Sequence, residues 1–159
     1  MPDRSTQFAT FTVERDIAFP PAAVFRAFAD IDAKRRWFGD PGGTEIEHAL
    51  DFRVGGLEHS SGGSPEAGGW FTYDATYHDI VPGERIVYTY AMTIDGNRIS
   101  ASVATIELAP RDGGTRLRLT EQGVFLDGLD TNAAREHGTN ELIDALAASL
   151  EPAPTGAAR

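Results

Sequence analysis

The chain contains no cysteine among its 159 residues. Disulfide bonds, a catalytic thiol and thiolate-ligated metal sites are therefore excluded, and the composition agrees with a reducing compartment. Basic residues are also scarce, because 14 Lys and Arg stand against 24 Asp and Glu and give a formal net charge of −10. Nucleic acids and anionic membranes attract proteins through basic patches, so we expect neither as a partner.

Long hydrophobic runs are missing as well. No apolar run approaches the roughly 20 residues of a membrane span, and the first residues, MPDRSTQFATF, lack the apolar core of a signal peptide. We therefore expect a soluble, cytoplasmic protein without membrane insertion. The length suits one domain, over residues 8–150, with a flexible N-terminus (1–7) and a disordered tail (151–159). The oligomeric state is left open, with a homodimer as one alternative.

Several motifs of common chemistry are absent. Residues 55–69, GGLEHSSGGSPEAGG, are rich in glycine but lack the GxxxxGK[ST] spacing of a phosphate-binding loop. We predict a mobile hairpin or lid there. The GxSxG motif of many hydrolases does not occur in the sequence. The histidines lie far apart without HxH or HExxH spacing, so we predict no metal and no cofactor; they are His48, His59, His78 and His137.

Hydrophobic periodicity is clearest at the C-terminal end. Between Thr131 and Leu150, apolar residues at helical spacing fall within an arc of roughly 100°; they are Leu142, Ile143, Leu146 and Leu150. Extended toward the N-terminus, the same arc contains polar residues, namely Asn132, Arg135 and Thr139. An inward face that is apolar at one end and polar at the other fits a sheet that encloses a partly wet cavity. The alternative is a helix that begins near Asn140, after a loop.

The rest of the chain alternates between polar and apolar residues in segments separated by turn signals. Strands are predicted at residues 8–19, 45–54, 70–80, 86–94, 99–108 and 115–125, and two short helices at residues 21–29 and 32–38, the second capped by Asp32. Tight turns such as Asp95-Gly96 join antiparallel strands. The predicted fold class is α+β: a curved antiparallel sheet of six or seven strands on one long C-terminal helix.

One carboxylate is predicted to lie among core residues. Leu117, Leu119 and Glu121 share one face of the last predicted strand. Burial would raise the pKa of Glu121 unless a cation or hydrogen-bond donors compensate, and Arg135 is a candidate cation. Glu121 is then a polar anchor for a ligand or a general acid or base. Alternatively, it forms a structural pair with Arg135, or it points to water at the end of a strand.

Aromatic residues complete the candidate site. They are core residues by default, although a buried tyrosine hydroxyl needs a partner, which a cavity supplies as water or ligand. With the polar residues of the inward arc and strand, the predicted ligand-binding residues are Trp37, Phe38, Tyr73, Tyr88, Tyr90, Glu121, Arg135 and Thr139. Their partner is predicted to be a hydrophobic small molecule.

Six segments occur together in the order of a known family: FPPAAVFRAFAD, RRWF, DFRVGG, YDATYHDIVPGERIVYTY, GGTRLRLTEQG and ELIDALAASL. Over residues 10–150 the chain resembles the bacterial single-domain homologues of the heat-shock-protein-90 ATPase activator, in the START-like (SRPBCC) superfamily. The sequence departs from the family pattern at Gly138-Thr139, where many members have Gly-Trp. The smaller threonine predicts a larger or wetter cavity at that end.

The resemblance implies a helix-grip fold with a cavity between helix and sheet that takes lipid-like or polyketide-like molecules. It implies no particular reaction, because one fold supports many functions. A ligand-binding module is favoured, and two alternatives stay open: an enzyme of the cyclase or hydratase type, and a module that activates a chaperone ATPase.

Overall fold

The computed structural model describes residues 4–39 and 44–151. The strands are β1 (Thr6–Ile17), β2 (Thr44–Leu50), β3 (Leu57–Ser64), β4 (Gly69–Val81), β5 (Arg85–Ile94), β6 (Asn97–Arg111) and β7 (Gly114–Leu126). The helices are α1 (Pro21–Ala29), α2 (Ile31–Lys34) and α3 (Asn132–Leu150). All seven strands form one antiparallel sheet in the order β1-β7-β6-β5-β4-β3-β2. The predicted α+β helix-grip class is confirmed.

The C-terminal helix begins where the sequence predicts. The Thr131 side chain accepts a hydrogen bond of 3.1 Å from the backbone N–H of Ala134, which caps the first turn. The alternative start near Asn140 is therefore wrong. The buried residues of α3 change in character along its length, as predicted, and are Arg135, Thr139, Ile143 and Leu146.

The apolar end of α3 packs on the β1 side of the sheet together with α1. Alternate residues of β1 and β7 point into this core, because side chains of a strand project to opposite faces in turn; they include Phe11, Val13, Ile17, Leu117 and Leu119. Arg15 of β1 also points toward the helix, where its Nε donates to Asp144 (2.8 Å) and its Nη2 to Asn140 (2.7 Å). These contacts hold α3 against the edge strand.

The glycine-rich segment forms a hairpin, one of the two predicted alternatives, and not a lid. Residues 57–64 are strand β3, which pairs with β2 on one side and, across the turn at residues 65–68, with β4 on the other. Glu58 and Ser60 point inward and are almost fully buried. Gly62 is required by the pairing, because a Cβ at this position would lie 2.5 Å from the carbonyl oxygen of Thr44. The inward residues of β3 are polar or small, so this strand lacks the apolar alternation by which the other strands were predicted.

Two smaller expectations also need correction. The strand predicted at residues 45–54 ends at Leu50, and an irregularity between Glu45 and Glu47 shifts its register, which leaves Ile46 exposed rather than inward. The second helix is capped by Asp30 rather than Asp32, since the Asp30 carboxylate accepts from two backbone N–H groups of the first turn.

The ends of the chain were predicted to be unstructured. Strand β1 begins at Thr6 rather than at residue 8, and the Ser5 N–H donates to the Asp127 carboxylate (2.9 Å). Most of the tail, residues 152–159, lies outside the described residues, as do residues 1–3. No helix in the described part of the chain is long and apolar enough to cross a membrane.

Candidate functional site

A cavity of about 540 Å³ lies between the concave face of the sheet and α3. Strands β4 to β7 form its floor, α3 forms its roof, and the segment after α2 closes one side. Its mouth lies near the exposed residues Ala67, Gly68 and Leu129, between the β3–β4 turn and the loop before α3. All eight residues singled out in the sequence line it: Trp37, Phe38, Tyr73, Tyr88, Tyr90, Glu121, Arg135 and Thr139.

Aromatic rings form most of one wall. Tyr73 of β4 and Tyr90 of β5 are buried, and their ring centroids lie 4.8 Å apart. Phe38, which follows α2, meets Tyr73 edge to face at 5.0 Å. Tyr88 continues the wall at 6.0 Å from Tyr90. Rings at these separations form a continuous apolar surface with hydroxyl groups at its margin.

The other end of the cavity carries a buried polar chain. The Tyr90 hydroxyl donates to Glu121 Oε2 (2.8 Å) and accepts from Arg135 Nη1 (2.9 Å). Arg135 Nη1 also lies 3.5 Å from Glu121 Oε2. The structure therefore brings together Glu121 and Arg135, which the sequence places on different elements, and Tyr90 connects them.

Arg135 has further partners besides Tyr90 and Glu121. Its Nη2 donates to Ser100 Oγ (2.7 Å) on β6 and to Asp130 Oδ2 (2.9 Å) in the loop before α3. Asp130 is adjacent to Thr131, the N-cap of α3, so the start of the helix and the position of the guanidinium depend on each other. Arg135 is thus held between two carboxylates, and its charge is already balanced within the protein.

Burial decides the protonation of this polar chain. Desolvation raises the pKa of Glu121, while the Tyr90 hydroxyl and Arg135 oppose this rise because they favour the carboxylate. Burial also raises the pKa of Tyr90, and those of Tyr73 and Tyr88 well above their usual value of 10. The tyrosines therefore stay neutral. The site offers neutral hydroxyls and, in Glu121, a buried carboxylate that can accept a hydrogen bond or a proton.

A second buried polar cluster, next to the cavity, was missed by the sequence analysis. Glu58 of β3 accepts from Lys34 Nζ (2.7 Å) and from the Tyr77 hydroxyl (2.6 Å) through Oε1, and its Oε2 lies 2.7 Å from His48 Nε2. All four side chains are less than 7% exposed. The Lys34 charge and these hydrogen bonds outweigh desolvation and lower the pKa of Glu58 to about 2.

Lys34 connects the second cluster to the cavity. It lines the cavity, and its ammonium lies 4.6 Å from the centroid of the Phe38 ring, within the range of a cation–π contact. Nothing in the sequence distinguished Lys34 as a buried residue, because it stands in a run of three basic residues, Lys34-Arg35-Arg36, that would ordinarily face solvent. Glu58 gave no signal because its strand has no apolar pattern.

Neither polar cluster forms an evident metal site. Within residues 4–39 and 44–151, no three His, Cys, Asp or Glu side chains are grouped so that they could hold a metal ion. The cavity presents aromatic and aliphatic surface, the hydrogen-bonded carboxylate of Glu121, and the cations Lys34 and Arg135, each paired with a carboxylate. It defines the protein as a START-like domain with an internal cavity.

Comparison with known proteins identifies the family within this class. The model of the family "Activator of Hsp90 ATPase homolog 1-like protein" matches residues 18–151, and the chain belongs to this family. No curated protein matches the chain.

Solved structures agree with this assignment. A protein from Rhizobium loti is 47% identical, with a TM-score of 0.82 over 91% of this chain and 99% of the other. A protein from Rhizobium leguminosarum is 42% identical, with a TM-score of 0.87 over 93% and 97% of the two chains. An AHSA1-like protein from Aeromonas hydrophila, 19% identical, shares the fold at a TM-score of 0.67 over 90% and 96%.

Proposed function

We propose that this protein binds an apolar or aromatic small molecule, lipid-like or polyketide-like, in the cavity between the sheet and α3. The observation that carries the proposal is the cavity itself, which at about 540 Å³ falls in the size range of small-molecule sites. Its lining is mostly aliphatic and aromatic and its polar groups are the minority, which is the usual composition of such sites.

The experiment is native mass spectrometry of the protein purified without denaturation, followed by extraction and identification of any bound compound. A matched pair of variants on α3 makes the result specific. Thr139 lines the cavity, whereas Ala133 lies exposed on the same helix. Thr139→Trp fills part of the cavity and should abolish the bound mass, while Ala133→Trp should retain it.

Thermal unfolding of both variants serves as the control for folding. Loss of ligand in Thr139→Trp with a retained cooperative transition supports the proposal. Equal binding by the wild type and by folded Thr139→Trp would place the ligand elsewhere and contradict it. If the extracted compound is converted on incubation with the protein, the protein is an enzyme that acts on this ligand rather than a binding module alone.

The family match supports a second candidate, activation of a chaperone ATPase, because the matching family is described as activator-like. This function would use an outer surface rather than the cavity. Addition of the protein to a purified bacterial chaperone of the ninety-kilodalton class, with ATP turnover as the readout, tests it. Equal stimulation by wild type and Thr139→Trp would favour this candidate, and no stimulation would remove it.

A further inference from the structure

The charges around the cavity favour some ligands over others. Among the described residues, the two buried clusters contribute two cations, Lys34 and Arg135, and three carboxylates, Glu58, Glu121 and Asp130. With His48 counted as neutral, the sum is one negative charge. Glu141 of α3 also lines the cavity and adds a further carboxylate, although it is largely exposed.

Both cations already have carboxylate partners within the protein. Lys34 Nζ lies 2.7 Å from Glu58 Oε1, and this pair is almost fully buried. Both terminal nitrogens of Arg135 are engaged, Nη1 by Tyr90 and Nη2 by Ser100 and Asp130. A ligand anion near Arg135 would therefore meet a guanidinium whose charge Glu121 and Asp130 already balance.

Glu121, the hydrogen-bond acceptor of the polar chain, has fewer partners than Arg135. The hydrogen bonds from Tyr90 and Arg135 to the Glu121 carboxylate both end on Oε2. The buried Ser102 hydroxyl, which has no other partner among the described residues, also favours the carboxylate, and Glu121 keeps acceptor capacity because a carboxylate has about four lone-pair sites. Glu121 lines the cavity at 3% exposure, so a ligand at this end would meet a carboxylate oxygen that is shielded from bulk water. Hydrogen bonds to a buried charged acceptor are stronger than those between neutral groups.

We propose that the cavity selects ligands whose polar group donates a hydrogen bond to Glu121, as a hydroxyl or an ammonium does, and discriminates against ligands that carry a carboxylate, such as fatty-acid anions. This inference rests on the proposed function and names the class of ligand. A carboxylate within hydrogen-bonding range of Glu121 in a site of reduced dielectric would be repelled by several times the thermal energy. We expect at least a tenfold difference in dissociation constant.

Three probes with the same ring system test the selectivity: naphthylmethanol, naphthylmethylamine and naphthoate, each titrated by calorimetry at neutral pH. The alcohol and the amine should bind at least ten times more tightly than naphthoate. Naphthoate binding as tight as the alcohol would overturn the inference and leave the proposed function standing. If none of the three binds, the proposed function itself fails for ligands of this size.

Variants test whether the carboxylates of the cavity, Glu121 and Asp130, cause the discrimination. Glu121→Gln and, independently, Asp130→Asn each remove one negative charge from the cavity, and each should reduce the preference for the alcohol over naphthoate toward one. Glu107→Gln removes the same charge from the outer face of β6 and should leave the preference unchanged. An unchanged preference in both cavity variants, or the same reduction in Glu107→Gln, would overturn the assignment.

Discussion

Replacing Glu58 by glutamine tests the buried cluster beside the cavity. The amide keeps the shape of the side chain but removes the charge that faces Lys34 Nζ at 2.7 Å. Lys34 would then remain a buried ammonium without a counter-ion, which is strongly destabilising in proteins. We therefore expect a large loss of stability, although residue 58 lies in a glycine-rich strand where substitutions would otherwise be expected to matter little.

The size of this loss follows from the pKa of Glu58. Its environment lowers the pKa from 4.5 to about 2, which corresponds to about 3 kcal/mol because each unit of pKa is worth about 1.36 kcal/mol. A depressed carboxyl pKa contributes stability that is fully present above the unfolded pKa and is lost as the pH falls toward the folded one. The wild type should thus lose about 2 kcal/mol of this contribution between pH 7 and pH 3.

Urea unfolding at both pH values measures the effect. At pH 7, Glu58→Gln should lower the free energy of unfolding by about 3 kcal/mol. At pH 3, the difference in free energy of unfolding between variant and wild type should be smaller by about 2 kcal/mol than at pH 7. A gap below about 1 kcal/mol at pH 7, or a gap that does not change with pH, would refute the assignment of Glu58 as the buried counter-ion.

Three further predictions concern the fold and the site. Glu121→Gln should change the free energy of unfolding at pH 7 by less than about 1 kcal/mol, because Arg135 keeps Asp130 and Ser100. Since burial raises the pKa of Glu121, its contribution to stability is lost as the pH rises through that pKa. Relative to the wild type, Glu121→Gln should therefore be more stable at pH 7 than at pH 4, and the opposite order would contradict this sign. Leu146→Asp places a charge at a position with 0% exposure and should abolish cooperative thermal unfolding. In hydrogen exchange, the amides of Leu57–Ser64 should be protected comparably to those of Arg85–Ile94, and uniformly fast exchange in the former would contradict β3.

Apolar periodicity was enough to predict most of the fold. Wherever inward residues are apolar, as in α3 and β7, alternation or helical spacing identified both the element and its buried face. The same reasoning placed Glu121 and Arg135 inward, since each continues a pattern begun by leucine or isoleucine neighbours. The cavity itself was implied by the family resemblance and by the change from apolar to polar along α3.

The second polar cluster could not be predicted, because its stability depends on partners that lie far apart in sequence. Glu58 is buried only because Lys34, His48 and Tyr77 surround it, and they come from three other parts of the chain. Within LEHSSGGS, the inward positions are occupied by glutamate, serine and glycine rather than by apolar residues. A pattern of hydrophobicity carries no information about a strand whose inward face is polar.

A crystal structure of the complex with naphthylmethanol tests most directly whether a small molecule occupies the cavity between the sheet and α3. We expect density for the naphthyl ring against Tyr73 and Tyr90, with the hydroxyl within hydrogen-bonding distance of the Glu121 carboxylate. An empty cavity at a ligand concentration well above the measured dissociation constant, or density only on the outer face of the sheet, would contradict it.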